Sequence, residues 1–425
     1  MFLIRADGNA KIGAGHLMRC LTIVSEMEAV LGGQEEILFL CADEDSAELV
    51  KSKGFRARVL YSDYRDMEGE LNAWERILAE EKILPESGCF SEVSGMGELP
   101  CALCCTEKPV QNVILVDSYY VTNTYLMALR KYGRVYLLDD MQREQFPVDG
   151  VMNYNAFASK EIYAKLYEGT DTACFVGSDY VPVRSQFLNQ EYGIRDRVED
   201  ILITTGGGDV ENIAGKIVSA LLMEYVVLHD LPEFYEPRMS EECDSERHRN
   251  VMHEKAQAMI DNSSVVPHFH IVTGRYSPNF EALQSMAKQH ENIHIYRDVQ
   301  DMAALMRRCD LAITAGGTTI YELAAIGVPF ICFSYAENQE ALTEYIGEKQ
   351  IAGYAGAYHK NSAGALAQIK RLVEEFSCSI EKRKQCFGRE RTMIDGRGAK
   401  RLAEVLLRER YNENPEIAKR GLFRD

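Results

Sequence analysis

Three short segments of this chain combine residue types and spacings that suit chemistry. The first is Arg5-Ala-Asp-Gly-Asn-Ala-Lys-Ile-Gly-Ala-Gly-His-Leu-Met-Arg19. An apolar run, Phe2 to Ile4, precedes it, and Leu17, Leu21, Val24, Met27 and Leu31 follow at helical spacing. The segment reads as strand, glycine loop and helix, with Gly13, Gly15 and His16 at the helix mouth. Unpaired amides at a helix N-terminus suit a phosphate or an oxyanion. A histidine placed there can accept a proton near pH 7. Taken alone, the loop is equally a helix-start turn with a solvated histidine. An oxidoreductase is a rival reading, with Asp43 or Asp45 after the run Ile37–Cys41 as the acidic residue a dinucleotide fold turns to a ribose.

The second segment, Asp310-Leu-Ala-Ile-Thr-Ala-Gly-Gly-Thr-Thr-Ile-Tyr-Glu-Leu-Ala-Ala-Ile-Gly-Val-Pro329, is more specific. Gly316 and Gly317 allow a tight turn and a close approach by a diphosphate. Thr318 and Thr319 open a helix whose amides and hydroxyls can donate to it, and Glu322 lies one turn further in. A carboxylate there can accept both hydroxyls of a ribose. The plainer alternative is a threonine cap with a glutamate complementing the helix dipole. Two further loops argue for a site. Gly206 and Gly207 follow the strand run Asp200–Thr205, and Asn338-Gln339 follows the run Phe330–Phe333.

The bulk properties narrow the classes. A chain of 425 residues is long enough for two cores. A net charge of −18 argues against nucleic acid and against anionic membrane surfaces as partners. No apolar run reaches a membrane span and no leader is evident, so a cytoplasmic protein is expected. The twelve cysteines are scattered. Cys101, Cys104 and Cys105, with Cys89 upstream, lack the second pair that a zinc knuckle needs, so no metal is expected.

These segments must be positioned by alternating strands and helices, which imply parallel sheets with helices on both faces, an α/β class. The pattern restarts at Asp200, and the polar stretch 185–199 reads as the linker. The expected domains are 1–190, with an insertion at about 85–110, and 191–425, with one at about 229–266. Ligands of such folds bind outside the C-terminal ends of the strands, here in a cleft between the two domains.

The residues resemble a known family, the UDP-2,4-diacetamido-2,4,6-trideoxy-β-L-altropyranose hydrolases of the pseudaminic acid pathway. Carrying the resemblance are the first loop, Val116-Asp117, Leu138-Asp-Asp140, Asn153-Tyr-Asn155 and Gly177-Ser-Asp-Tyr-Val-Pro-Val-Arg184. In the second half it rests on Thr205-Gly-Gly-Gly-Asp209, Ala315-Gly-Gly-Thr-Thr-Ile-Tyr-Glu322, Asn338-Gln339 and Ile394-Asp-Gly-Arg-Gly-Ala399. It implies a GT-B fold of two Rossmann-like doubly wound domains with an interdomain cleft. The implied reaction is inverting attack of water at C1 of a UDP-linked diacetamido-trideoxyhexose, without cofactor or metal. In that scheme His16 is the catalytic residue, and Arg5, Asp7, Gly15, Asp117, Asn338 and Gln339 contact the sugar or its phosphate. The nucleotide falls to Gly206, Gly207, Met302, Gly316, Gly317, Thr318, Thr319 and Glu322. The implied partner is a small-molecule UDP-sugar, bound by a monomer. A glycosyltransferase on the same fold and a nucleotide-sugar-binding protein without turnover are the alternatives. The chain departs from the family at Asp117-Ser118-Tyr119, where many members have Asp-His-Tyr.

Overall fold

Continuous apolar runs, rather than alternating ones, mark strands buried on both faces, and here they build two all-parallel sheets. The computed structural model describes residues 1–9, 11–33, 36–83, 112–141, 144–206, 209–229, 266–274 and 277–411, with only the backbone of 223–229. The cysteine group, Gly207, the tail after Asn412 and nearly all of both expected insertions lie outside the described residues.

The first sheet holds β1 (Phe2–Ala6), β2 (Ile37–Cys41), β3 (Arg56–Val59), β4 (Asn112–Asp117), β5 (Gly133–Leu138), β6 (Gly150–Asn153) and β7 (Ala173–Val176). Their order is β3-β2-β1-β4-β5-β6-β7. β1 is an interior strand, with Leu3 in register with both Leu38 and Ile114. The helices are α1 (Gly15–Leu31), α2 (Glu44–Ser52), α3 (Leu71–Glu80), α4 (Asn123–Leu129) and α5 (Lys160–Leu166). Trp74, Ile77, Tyr125, Leu126 and Tyr163 pack on Leu3, Ile114 and Val116 of the sheet.

The second sheet holds β8 (Asp200–Thr204), β9 (His268–Thr273), β10 (Ile293–Arg297), β11 (Leu311–Ala315), β12 (Phe330–Ser334) and β13 (Gly353–Ala357), in the order β10-β9-β8-β11-β12-β13. Its helices are α6 (Ile213–His229), α7 (Phe280–Ala287), α8 (Met302–Arg308), α9 (Thr318–Ile326), α10 (Glu340–Glu348), α11 (Ser362–Cys378) and α12 (Ile380–Met393). The last helix, α13 (Gly398–Tyr411), follows. β13 escapes a sequence reading because Gly-Tyr-Ala-Gly-Ala has no β-branched run. It is held by register, Ile331 opposite Gly353, and a Cβ at Gly353 would crowd Ile331, Leu372 and Phe376.

Both sheets reverse strand order at the same place, β1 beside β4 and β8 beside β11. Such switch points leave a crevice at the strand C-termini for ligands. No helix among the described residues is long and apolar enough to cross a membrane.

The division of the chain differs from the expected boundary at 190. One unit comprises Met1–Pro182 with Arg397–Asp425, the other Val183–Gly396. The expected linker is strapped to the second unit. Tyr192 donates to Cys309 O (3.0 Å), and buried Arg383 donates to the carbonyls of Arg195 and Asp196 (both 2.8 Å). α13 returns to the first unit, packing on α1, with Arg410 bonded to Glu36 and Arg401 to Asp179 O. Its start is fixed by Gly398, where a Cβ would lie 2.2 Å from Val181 O.

Candidate active site

The loop after β1 is built around Asn9. Its Oδ1 accepts the amides of Lys11 (2.9 Å) and Ile12 (3.2 Å), and Gly13 N donates back to Asn9 O (2.8 Å). Gly13 adopts φ 73°, a left-handed conformation that glycine takes without strain. The chain then enters α1 at Gly15 after Ala14, which offers no side-chain cap, so the first-turn amides stay open. Asn9 Nδ2 also donates to Asp43, whose other oxygen caps α2 through Ser46 N. Asp43 is thereby engaged in joining two loops, which weakens the dinucleotide reading.

His16 is the second residue of α1, 7% exposed, and it meets Asp117 at the end of β4. Its Nδ1 lies 2.6 Å from Asp117 Oδ1. The same Nδ1 is 2.9 Å from Arg19 Nη2; the tautomer with its proton on Nδ1 donates to Asp117 and leaves Nε2 as the nitrogen able to accept one. Arg19, one turn further along α1, grips the same carboxylate through Nε (2.5 Å) and Nη2. Its Nη1 reaches Asp140 Oδ2 and the Tyr154 hydroxyl, both at 2.6 Å. Burial opposes ionisation of Asp117, but Arg19 and His16 outweigh it and hold the carboxyl below its ordinary range. The histidine ring is braced edge-on by Tyr119, centroids 4.5 Å apart, and Tyr119 donates to Asp140 (3.2 Å).

A second buried network lies beneath. Arg5 is fully buried and donates to Glu70 through Nε (2.7 Å) and Nη2 (2.8 Å), and to Asp7 through Nη1 (2.6 Å). Tyr125, Trp74 and Ser62 also donate to Glu70. Asp7 spends its other oxygen on Ala42 N (2.7 Å). This corrects two expectations. Arg5 reaches no ligand, being sealed in the core, and instead fixes Asp7. Asp117 serves the histidine, since both its oxygens are engaged.

Asp7, Ile12, His16, Tyr64, Asp117, Ser118, Tyr119 and Tyr120 line one small pocket of this unit. Ser118 accepts the amide of Tyr120 (3.1 Å) and so shapes the turn that presents both tyrosines.

In the second unit the matching switch point is made mainly of backbone. Gly316 is packed against the next loop; a Cβ would meet Gln339 Cβ and Thr343 Cγ2 at 2.8 Å. Gly317, the N-cap of α9, faces open space, and Thr318 and Thr319 are half-buried behind it. Gly206 ends the β8 loop at φ 80°, and Asp209 caps α6 through the amides of Ile213 (2.7 Å) and Ala214 (2.9 Å). Asn338 is exposed, while Gln339 Oε1 accepts Tyr335 N (3.0 Å). Met302 is buried at the start of α8.

Glu322 is 7% exposed and already paired. Arg184 donates to its Oε1 through Nε (2.9 Å) and approaches with Nη2 (2.7 Å). Burial raises the Glu322 pKa, and Arg184 offsets part of that rise. A ribose bound there would share this carboxylate with Arg184. Among the described residues no group of three or more His, Cys, Asp or Glu is arranged to hold a metal.

Arg19, Asp140, Tyr154, Glu70 and Arg184 were not assigned from sequence. Arg19 carried a signal, since it stands three residues after His16 on one helix face. Glu70 carried none, being 65 residues from Arg5.

The glycosyltransferase family 28 C-terminal domain matches residues 247–387. The spore coat polysaccharide biosynthesis protein SpsG of Bacillus subtilis is 24% identical over 58% of this chain and 61% of its own length. An uncharacterised protein of Methanocaldococcus jannaschii is 22% identical over 81% of this chain and 57% of its own. The chain thus spans about three fifths of these two relatives. The UDP-2,4-diacetamido-2,4,6-trideoxy-β-L-altropyranose hydrolase of Campylobacter jejuni is 20% identical over 84% of this chain and 98% of its own length. Among solved structures, MurG of Acinetobacter baumannii superposes with TM-score 0.52 at 12% identity, covering 96% of this chain and 99% of MurG. MnaA of S. aureus with UDP gives 0.52 at 10% identity, covering 97% of each. Two Rossmann-like units and these likenesses give the chain the GT-B fold, and the match to the family 28 C-terminal domain falls within its second unit.

Proposed function

We propose that the protein hydrolyses a UDP-linked 2,4-diacetamido-2,4,6-trideoxyhexose to UDP and the free amino sugar, as a cytoplasmic enzyme of nonulosonic (pseudaminic) acid synthesis. The observation carrying this reading is the His16–Asp117 pair at the first switch point, with Nδ1 committed to the carboxylate. His16 Nε2 takes a proton from water as the oxygen attacks C1. The C1–O bond breaks, its electron pair leaves with UDP, and the configuration at C1 inverts. His16 then returns its proton to solvent.

The second unit takes the nucleotide. Diphosphate charge is met by the amides at the mouth of α9 and by Thr318 and Thr319, and the ribose by Glu322 beside Arg184. Gly206, Asn338 and Gln339, on segments that follow strands of this unit, and Met302 at the start of α8 complete its contacts. Gly15 and the mouth of α1 meet charge developing on the sugar phosphate. The altropyranose hydrolase relative, aligned over nearly its full length, supports the choice of reaction.

A glycosyltransferase is supported by the family 28 match. Turnover of UDP-diacetamido sugars in ¹⁸O-water, without metal or acceptor, separates the readings. Label in the sugar and none in UDP is expected. Release that occurs only when an acceptor alcohol is added would establish transfer, and no release from any such sugar would end the enzyme reading.

A further inference from the structure

We propose that Tyr64 and Tyr120 form an aromatic platform that takes the apolar face of an uncharged, N-acetylated pyranose beside His16. The inference deepens the proposed function by naming what the first unit recognises. Both rings line the pocket that His16 and Asp117 also line. They meet edge-on, centroids 5.5 Å apart and planes at 69°, so each holds the other in place. Tyr120 is 39% exposed; among the described Phe, Tyr and Trp residues only Tyr61 is more exposed. Ser118 fixes its position by accepting the Tyr120 amide.

Charge excludes one class of ligand. Asp7 and Asp117 are saturated by buried partners, and no Lys or Arg lines the pocket. Two cations lie nearby: Arg65, 5.7 Å from the centre of the Tyr64 ring and tied to Asp63 by two hydrogen bonds (3.0 and 2.7 Å), and exposed Lys11, which precedes Ile12 and acts on the same Asp63. The pocket lining itself therefore offers an anionic sugar no side-chain cation. The negative ring faces instead favour the weakly positive C–H groups of a pyranose and of an acetamido methyl.

The test is saturation-transfer NMR on the full chain, irradiating aromatic protons, with free N-acetylglucosamine, N-acetylfucosamine, glucose and glucuronate as probes. The acetyl methyl should show the strongest transfer and glucuronate the weakest. Tyr64→Ala and Tyr120→Ala should each lower the acetyl signal by roughly three- to tenfold, while Tyr120→Phe retains it. Both rings lie on surface loops, and far-UV circular dichroism of each variant checks the fold. An acetyl signal unchanged in both alanine variants, equal transfer to glucuronate, or no transfer to any probe overturns the platform. UDP release is measured on the same preparations. Wild type that stacks the acetylated sugars yet releases no UDP keeps the platform and ends the hydrolase reading. Turnover with an unchanged KM in the alanine variants ends the platform alone.

Discussion

The two units share a strand order and a switch point, yet they build opposite kinds of surface there. In the first, charged side chains interlock under the loops: Arg5 with Glu70 and Asp7, Arg19 with Asp117, Asp140 and His16. In the second, glycines, threonines and helix amides face outward, and one ion pair, Arg184–Glu322, stands beside them. The difference follows from the tasks proposed. A base must hold one ring orientation, and a buried, fully bonded carboxylate enforces that. A diphosphate needs many weak donors and close approach, which backbone without side chains provides.

The largest expected effect sits at the rigid end. His16→Asn should lower kcat by about 10²–10⁴-fold while UDP affinity stays within about twofold, read by initial rates and calorimetry. Loss of UDP binding instead would make His16 a phosphate contact and erase the division of labour. Next comes the ion network itself. Glu70→Gln leaves buried Arg5 with one charged partner, Asp7, and should cost about 3–5 kcal/mol in urea unfolding. Glu322→Gln leaves an Arg184 side chain that is 32% exposed and can hydrate, so its cost should stay under about 1 kcal/mol. Equal losses would show that the two switch points are not built differently.

Gly317→Ala tests the open end. Its φ of 174° is extended backbone and a Cβ meets nothing within 4 Å, so folding should be unaffected. The methyl occupies the space proposed for the diphosphate, and UDP affinity should fall by about tenfold, or about 1.4 kcal/mol. Unchanged affinity would move the phosphates elsewhere.

The smallest effect contrasts two carboxyl groups. The Asp117 pKa is depressed, so its stabilisation is present above about pH 4 and is lost as pH falls through the folded value. Glu390 on α12 is wholly buried with neither oxygen hydrogen-bonded. Burial pushes its pKa up, and the nearby Phe330 amide opposes only weakly. Its contribution is therefore complete below the unfolded value of about 4.3 and is lost as pH rises through the folded one. Glu390→Leu should raise stability at pH 8 by about 1 kcal/mol and flatten the decline with rising pH. Asp117→Asn should flatten the acid limb. Thermal melts from pH 2 to 9 on both variants read each slope.

Apolar runs and glycine loops were legible without coordinates because they act locally. Phe2–Ile4, Ile37–Cys41 and Leu311–Thr314 are strands because continuous apolar residues can be satisfied only between two helical layers. His16 and Gly316–Glu322 stood out because a helix mouth is a property of a few adjacent residues. What touches what was not legible. That Asp117 orients His16 from 101 positions away, that Arg5 is sealed by Glu70, and that Arg184 already holds Glu322 depend on contacts that only folding creates. The same holds for α13, whose place in the first unit is set by Gly398 against Val181 and Arg410 against Glu36. Local periodicity determines which elements form and which loops are open. The pairing of buried charges is a three-dimensional solution to desolvation, and only the tertiary structure decided it.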